Sequence, residues 1–326
     1  MSSISRRQLL IGAAASLAAA AVGPVRAQSQ KILYVPYPPG GSLDAMARSV
    51  AQEMGTRGGE SIIVDNMPGF SGNIGAQFVA RSRPDGNAMV MTALTTYAIS
   101  ATLMEGKTGY DLTKSFGHVA IVGYLPNVLV VPVSLHVDDM QSFIKAAKAK
   151  PDAFSYATTG VGSLEHIAGE MFKRATGIRI EPVHYKGSAP GMTDLLGNRI
   201  QAMFVNTSTA LGNLKTGLIK VIGIAGPHRV DALPGVPTFR EAGVQMDNDV
   251  VSIFGIAVPA KTPKDVVEKL NADINAVLKL PVVQQRFGTQ GIEVVTESSA
   301  YATERVEHEV AVWKKVIKET GITLEG

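Results

Sequence analysis

The chain contains 326 residues with a formal charge of +3, six histidines and no cysteine. The lack of cysteine excludes disulfides, thiolate catalysis and cysteine-held metal sites, and the histidines are scattered without paired ligand spacing. The sequence also lacks the basic face that a nucleic acid requires, so we expect no metal, no cofactor and no nucleic-acid partner.

The amino terminus has the pattern of an export signal. Arg6 and Arg7 precede an apolar run from Leu9 to Val22, and Val25-Arg26-Ala27 provides a small-x-small cleavage site. The apolar run is too short to serve as a permanent membrane anchor. We therefore predict that residues 1–27 are a signal peptide and that the mature protein is periplasmic. Both the twin-arginine route and the general secretory route fit this pattern.

Cleavage at this position changes the charge of the protein. The segment 1–27 contains three arginines and no acid, so its removal lowers the formal charge from +3 to zero. The mature surface is then neutral in sum, which again gives no reason to expect a polyanionic partner.

Short β-branched runs alternate with helical stretches along the rest of the chain. This alternation is typical of βαβ units around largely parallel sheets. The mature chain is also longer than one core usually serves, so we predict an α/β fold with two doubly wound lobes. The predicted strands are Ile32–Val35, Ile62–Val64, Ala88–Met91, Val128–Val131, Ile180–Val183, Ile200–Val205 and Val221–Ala225.

Two helices have clear signals near the carboxyl end. Thr262-Pro263-Lys264-Asp265 predicts an N-cap, a proline in the first turn and an acid at the third helical position. Val306, Val310, Trp313 and Ile317 fall on one face of a last helix. We predict that Trp313 lies in the core.

No flexible linker separates the lobes, so the chain is expected to cross between them within structured elements. Strand-like segments around Val122–Val131 and Val251–Val258 flank a central block of about one domain's size. We predict that residues 28–126 plus 252–326 form lobe 1 and that residues 127–251 form lobe 2. Two crossovers form a hinge, so the lobes can close on a ligand in the cleft between them, as in periplasmic binding proteins of the Venus-flytrap type.

Two segments of similar sequence, Gly41-Ser42-Leu43-Asp44 and Gly162-Ser163-Leu164-Glu165, each follow a predicted strand and open a predicted helix. A helix start leaves backbone N–H groups without partners and carries partial positive charge, so it favours an anion. Each serine and acid can also act simply as a helix cap. Two such starts at matching places in two lobes favour a site for a small anion.

The surrounding residues supply neutral donors. Gly40 and Gly41 allow close approach of a ligand to the main chain, and Thr158, Gly160 and Gly162 form the opposite loop. Asp44 would repel an anion, so we interpret it as loop architecture that can also accept from a ligand hydroxyl or amine. His166 has two open roles, a structural one and a ligand contact through an ordered water. Thr95 and Thr96 follow a strand, where ligands bind in open α/β sheets.

An ordered series of motifs carries a family resemblance. The series includes Tyr37-Pro38-Pro39-Gly40-Gly41-Ser42-Leu43-Asp44, Asn66-Met67-Pro68-Gly69, Arg83-Pro84-Asp85-Gly86, Pro126-Asn127-Val128-Leu129-Val130, Tyr156-Ala157-Thr158-Thr159-Gly160-Val161-Gly162-Ser163, Tyr185-Lys186-Gly187 and Leu233-Pro234-Gly235-Val236-Pro237-Thr238. From Lys31 to Ile322 the chain resembles the Bug-type receptors of the tripartite tricarboxylate transporter family, which are solute-binding proteins.

The resemblance implies a receptor that encloses a small carboxylate, either a di- or tricarboxylate or an aromatic acid, and delivers it to the membrane permease subunits of a tripartite transporter. We expect a monomer. The full set of candidate ligand-binding residues is Tyr37, Gly40, Gly41, Ser42, Asp44, Thr95, Thr96, Thr158, Gly160, Gly162, Ser163, His166 and Asn206. Val205 stands where the family commonly has aspartate, which suggests a less polar distal end of the ligand.

Two alternatives stay open at this point. The same closure can present a ligand-dependent surface to a signalling partner instead of a transporter. An enzyme is the weaker alternative, because the sequence has no Gly-x-Ser-x-Gly elbow, no P-loop and no zinc motif. Ser163 and His166 are three positions apart, but no third group is apparent that would orient the imidazole. We therefore predict no catalytic residue.

Overall fold

The computed structural model describes residues 30–58 and 61–323, so the predicted signal peptide lies outside the described residues. The described residues contain ten strands and ten α-helices. The strands are β1 (Lys31–Val35), β2 (Ile62–Asn66), β3 (Ala88–Ala93), β4 (Phe116–Pro132), β5 (Ser155–Thr158), β6 (Glu181–His184), β7 (Ala202–Asn206), β8 (Ile219–Ile224), β9 (Val251–Pro259) and β10 (Glu293–Val294). The helices are α1 (Ser42–Gly58), α2 (Asn73–Ala80), α3 (Leu94–Leu103), α4 (Met140–Ala149), α5 (Leu164–Thr176), α6 (Ser188–Leu196), α7 (Thr207–Leu214), α8 (Lys264–Leu278), α9 (Pro281–Gly288) and α10 (Ser299–Thr320).

The strands follow the order β2-β1-β3-β9-β4-β7-β5-β6, and both β8 and β10 pair with β4. Strand β4 changes partners along its length. It pairs with β9 from Phe116 to Pro126, and with β7 and β8 from Asn127 to Pro132. This exchange divides the sheet into two parts, lobe 1 with β1, β2, β3, β9 and β10, and lobe 2 with β5 to β8. The predicted α/β fold with two lobes is confirmed.

The two lobes repeat one arrangement. In lobe 1, β1 runs parallel to β2 and β3, and in lobe 2, β5 runs parallel to β6 and β7. Helices α1 and α5 follow the central strands β1 and β5, while α3 and α7 follow β3 and β7. Each of these four helices therefore begins at the carboxyl end of a parallel strand, the edge where α/β sheets bind ligands. The residue ranges predicted for the lobes stay a prediction.

All seven predicted strands occur, with shifted bounds. Ile180 and Ile200 lie just outside β6 and β7, although both are buried. The predicted start of α8 is wrong by one residue, because Pro263 occupies the N-cap position. The hydroxyl of Thr262 instead donates to the carbonyl oxygen of Pro259 over 2.7 Å, which closes the preceding turn.

The last helix packs its apolar face inward as predicted. Trp313 is 1% exposed, and Val306 and Ile317 are buried beside it. The Trp313 indole N–H donates to Glu309 over 2.8 Å, so the polar atom of this buried ring keeps a hydrogen-bond partner. No helix within the described part of the chain combines the length and apolar character needed to cross a bilayer.

Candidate ligand-binding cleft

The carboxylate of Asp44 stabilises the loop from β1 to α1 by hydrogen bonds. Oδ2 of Asp44 accepts from the backbone N–H of Gly40 over 3.0 Å and from Arg48 over 2.9 Å. Its other oxygen accepts from Asn66 over 2.9 Å. Burial alone would raise the pKa of Asp44, but these hydrogen bonds and the Arg48 charge together lower it. Asp44 is therefore an ionised part of the loop, with both oxygens already engaged within lobe 1.

The glycines of this loop differ in their geometry. Gly40 has a φ of +92°, which an L-residue rarely adopts, whereas Gly41 has an ordinary φ. A Cβ added at Gly41 meets nothing within 4 Å. The backbone at Gly41 therefore borders open space, as a ligand approaching the main chain requires.

Tyr37 joins this loop to the turn that precedes α2 in lobe 1. Its hydroxyl donates to the carbonyl oxygen of Ser71 over 3.0 Å. Burial raises the pKa of Tyr37, and the carboxylate of Glu165 in lobe 2 raises it further, against a hydrogen bond with Thr96. Tyr37 therefore contacts the backbone of Ser71 within lobe 1, and the predicted residue Thr96 lies near it.

The loop from β5 to α5 is shaped by a serine cap and a histidine. Ser163 accepts at its hydroxyl from the backbone N–H of His166 over 3.2 Å. The Nδ1 atom of His166 in turn accepts from the backbone N–H of Gly162 over 3.1 Å. This bond requires an unprotonated Nδ1, in agreement with a pKa of His166 that burial and the nearby His184 both lower. His166 thus has a structural role, and the Gly162 amide is committed to it.

Thr158 anchors the same loop from the end of β5. Its side chain is fully buried, and its hydroxyl lies 2.6 Å from Nδ1 of His184. The same oxygen accepts from the backbone N–H of Gly160 over 3.2 Å. Gly160 has a φ of +134°, and a Cβ there would meet nothing within 4 Å. Thr158 therefore positions the loop, and Gly160 contributes backbone at its open edge.

A direct hydrogen bond joins the two lobes. The hydroxyls of Ser42, at the start of α1, and Ser208, at the start of α7, lie 2.6 Å apart. Ser208 donates its own hydrogen to Oδ1 of Asn206 over 3.0 Å. A hydroxyl has only one hydrogen, so Ser42 must be the donor between the two serines. The starts of two helices from different lobes therefore face each other at this point.

Two other predicted residues, Asn206 and Thr95, already have hydrogen-bond partners within the protein. Asn206 caps α7, because its Oδ1 also accepts from the backbone N–H of Thr209 over 3.0 Å. Thr95 donates to the carbonyl oxygen of Val251 over 2.9 Å and accepts from the N–H of Ile253 over 3.0 Å, which ties α3 to β9. Ligand contact by each predicted residue stays a prediction.

Val205 does not support the idea of a less polar ligand. Its side chain is 1% exposed and packs in an apolar cluster of lobe 2 with Val128 and Met203. Asn206, one position later, points to the opposite face of the strand. The residue at 205 therefore contributes to the core of lobe 2, and its apolar character is explained without a ligand.

Three residues of this region were missed as candidates from the sequence. These are Ser208, Glu165 and Asn127. The polar run Asn206-Thr207-Ser208-Thr209 after a strand was the available signal for Ser208, because it repeats the pattern of a helix start. Glu165 was visible in the second of the two similar segments, whereas no local pattern marked Asn127, whose buried amide oxygen becomes apparent only in the packed structure.

Two cavities near the hinge are not lined by the predicted ligand-binding residues. One of about 330 Å³ is lined by Tyr124, Pro126, Val251 and Ile253 together with side chains of α10. A second of about 300 Å³ shares Pro126 with the first. Within the described residues, no group of three potential metal-ligating side chains comes together. The cleft is therefore identified by its helix starts and loop backbone and not by cavity volume.

The chain is similar to proteins of known class. The model for the tripartite tricarboxylate transporter family receptor matches residues 46–322. Protein BugT of Bordetella pertussis is 31% identical over 294 residues, covering 90% of each chain. The structure of R. palustris Rpa4515 with adipate aligns with a TM-score of 0.83 at 32% identity, covering 90% of this chain and 98% of that one. MatC from Rhodopseudomonas palustris with bound malate aligns with a TM-score of 0.77 at 28% identity, covering 90% and 100%.

The fold is that of a two-lobed solute-binding receptor, a class of binding proteins and not of enzymes. The chain belongs to the tripartite tricarboxylate transporter receptor family. Receptors of this family are periplasmic.

Proposed function

We propose that this protein captures a small carboxylate between its lobes and delivers it to the permease subunits of a tripartite tricarboxylate-type transporter. Adipate and malate in the structures of Rpa4515 and MatC support a carboxylate as the ligand. The family match supports the transporter as the partner. The export signal proposed for residues 1–27 would bring the protein to the periplasm, where it meets both.

The observation that carries this proposal is the Ser42–Ser208 contact, which brings helix starts from both lobes to one place. Each helix start carries partial positive charge and backbone N–H groups without helical partners. An anion that lies between them gains from both helix dipoles at once. The loops around Gly41 and Gly160 provide backbone donors at the same edge of the sheet.

The acidic residues near the cleft are compatible with an anionic ligand. Asp44 has its charge compensated by Arg48 and by hydrogen bonds to both oxygens. Glu165 accepts from the hydroxyl of Thr159 over 2.7 Å, so one of its oxygens is already engaged within lobe 2. The backbone N–H groups at the helix starts are the donors that we propose for the carboxylate, because the hydroxyl hydrogens of Ser42 and Ser208 are engaged with each other and with Asn206. Such groups can bind a carboxylate directly or through bridging waters.

Closure is the step that couples binding to delivery. A ligand shifts the lobes toward the closed form only if it binds that form better than the open one. A carboxylate that contacts α1 and α7 together satisfies this condition, because the two helix starts separate when the lobes open. The permease can then distinguish loaded from unloaded receptor by the angle between the lobes.

The test uses the mature protein purified from a periplasmic extract, with adipate, malate, succinate, citrate and benzoate as probes. We expect at least one carboxylate to raise the melting temperature and to lower the radius of gyration in solution scattering. A probe at one hundred times its Kd stabilises a protein by about 2.7 kcal/mol. Succinamide has the shape of succinate without its charges and serves as the matched control.

A variant tests the position of the site. Gly41→Leu should abolish the response to every probe without loss of fold, because the new side chain points into open space at the helix start. Gly212→Ala, which also meets nothing within 4 Å and lies along α7, is the control that should retain binding. Binding of succinamide as tight as succinate, or full affinity in Gly41→Leu, would contradict the proposal.

A further inference from the structure

Asn127 lies where β4 passes from lobe 1 to lobe 2. Its backbone N–H donates to Val250 over 2.9 Å, and its carbonyl oxygen accepts from Ala225 over 2.8 Å. The residue is 1% exposed. Both backbone groups are therefore fixed at the hinge, and the direction of the side chain is set by the strand.

Strand alternation places this side chain on the cleft side of the hinge. Pro126 and Val251 are paired neighbours and line the 330 Å³ cavity behind the hinge strands. Successive side chains of a strand point to opposite faces, so Asn127 and Ser252 point away from that cavity. Asn127 is also the direct cross-strand partner of Asn206, which means that their side chains share a face.

That shared face is the one that carries the interlobe contact. Asn206 accepts from Ser208, and Ser208 accepts from Ser42 of lobe 1. The side chain of Asn127 therefore lies at the floor of the cleft, beneath the point where the helix starts meet. Neither hydroxyl of the Ser42–Ser208 pair can donate a hydrogen bond to Asn127, because Ser42 donates to Ser208 and Ser208 donates to Asn206.

Only one of the two polar atoms of the Asn127 side chain has a hydrogen-bond partner. Its Nδ2 donates to the hydroxyl of Ser252 over 3.4 Å. Its Oδ1 is buried, and no donor among residues 30–58 and 61–323 lies within hydrogen-bonding distance of it. A buried acceptor without a donor is unfavourable, and most buried polar groups avoid this state. The Oδ1 of the neighbouring Asn206, in contrast, accepts from both Thr209 and Ser208.

We propose that Asn127 determines specificity by accepting a hydrogen bond from the ligand. The inference rests on the proposed function and narrows it to carboxylates that also carry a donor, a hydroxyl or an ammonium group, next to the carboxylate. The carboxylate lies against the helix starts, and the donor reaches down to Oδ1 of Asn127. Hydroxy acids and amino acids have this arrangement, whereas simple dicarboxylates do not.

The same geometry links specificity to closure. When the lobes separate, the floor of the cleft opens to water and Oδ1 is hydrated. Closure around a ligand without a donor removes the water from Oδ1 and leaves this oxygen without a hydrogen bond. Closure around a ligand with a donor replaces the hydrogen bond from water with one from the ligand. Asn127 therefore disfavours the closed form for the wrong ligand and permits it for the right one.

The test compares matched ligands by isothermal titration calorimetry. Succinate is compared with malate and aspartate, which add a hydroxyl or an ammonium group to the same skeleton, and phenylacetate is compared with mandelate. We expect a preference of about tenfold for the donor-bearing member, since one hydrogen bond worth 1.4 kcal/mol changes affinity tenfold. In Asn127→Leu, which keeps the volume and removes the acceptor, the ratio should fall to about one.

Two further variants complete the design. Asn213→Leu removes an amide at the far end of α7 and should keep the wild-type ratio. Asn127→Ala also removes the acceptor and is smaller than leucine, so it should likewise bring the ratio to about one, which provides a readout if Asn127→Leu does not fold. Equal affinity within every pair that binds, or an unchanged ratio in Asn127→Leu, would overturn the inference and leave the proposed function standing. Failure of all these carboxylates to bind would instead contradict the proposed function.

Discussion

The hydroxyl of Ser42 donates to the hydroxyl of Ser208 over 2.6 Å, although 166 positions separate the two residues in the chain. Ser42 opens the first helix of lobe 1, and Ser208 lies in the first turn of α7 in lobe 2. The contact is therefore a link between lobes and not a local cap. Its strength contributes to the balance between open and closed forms, which sets the affinity for any ligand that requires closure.

A double-mutant cycle can measure this link. Ser42→Ala and Ser208→Ala should each increase the radius of gyration of the ligand-free protein, because each removes the same interlobe hydrogen bond. In urea unfolding, the double variant should lose about 1 kcal/mol less than the sum of the single variants. Thr303→Ala, at an exposed position on α10, serves as the control. Strictly additive losses would mean that the two serines are not coupled.

The second prediction concerns two glycines that lie within helices. A Cβ at Gly169 in α5 would lie 2.1 Å from the ring of Tyr156, whereas one at Gly212 in α7 meets nothing within 4 Å. Gly169→Ala should therefore destabilise the protein by about 1–3 kcal/mol through overpacking. Gly212→Ala should stabilise it by about 0.5–1 kcal/mol, because alanine is the better helix former. Urea unfolding measures both, and equal effects at the two sites would refute the packing argument.

The buried carboxylate of Glu309 makes a third prediction. Its side chain is 5% exposed, and it accepts from Arg305 over 2.7 Å and from the indole of Trp313 over 2.8 Å. Glu309→Ala leaves the buried indole N–H of Trp313 without its partner and removes the ion pair with the partly exposed Arg305, so the free energy of unfolding should fall by about 1–3 kcal/mol. Glu307→Ala, at an exposed position of the same helix, should change it little. Similar unfolding midpoints in urea for the two variants would count against this account.

The pH dependence of stability yields a fourth prediction. Burial lowers the pKa of His118 to about 4, against a hydrogen bond from its Nε2 to the carbonyl oxygen of Leu112. Between pH 6.5 and pH 4 the unfolded chain binds a proton at this residue that the folded chain does not, so stability falls as the pH falls through this window. The loss from pH 7 to pH 4.5 should be about 2–3 kcal/mol for this residue.

His118→Gln should remove that part of the pH dependence, as seen in urea unfolding at pH 7 and pH 4.5. His136→Asn, at an exposed position, should preserve the wild-type difference between the two pH values. If His118→Gln retained the full difference, other groups would have to account for the acid sensitivity.

Local pattern predicted most of the strands of this fold and several of its helix starts. The β-branched runs from Ile32–Val35 to Val221–Ala225 identified seven strands, because β-branched residues fit the pleated, half-buried surface of a sheet. The prediction of largely parallel sheets was wrong, because β4 pairs antiparallel with β7, β8, β9 and β10 and makes the sheet mixed. Glycine, serine and an acid in sequence marked the starts of α1 and α5, since those residue types satisfy turn geometry and helix caps. The cap of α8 was misplaced because Thr262 uses its hydroxyl on the turn before it, a choice between two nearby partners that sequence does not reveal.

The sequence by itself determined the α/β class, the two-lobed organisation and the family, because these follow from periodicity and from ordered motifs along the chain. Only the tertiary structure decided which polar atoms are occupied. In the folded protein the backbone N–H of Gly162 donates to His166, the hydroxyl of Thr95 donates to the backbone of β9, and the hydroxyls of Ser42 and Ser208 lie in hydrogen-bonding contact. These outcomes depend on contacts between residues far apart in the chain, and hydrogen-bond capacity at a site is settled by which partners packing brings within about 3 Å.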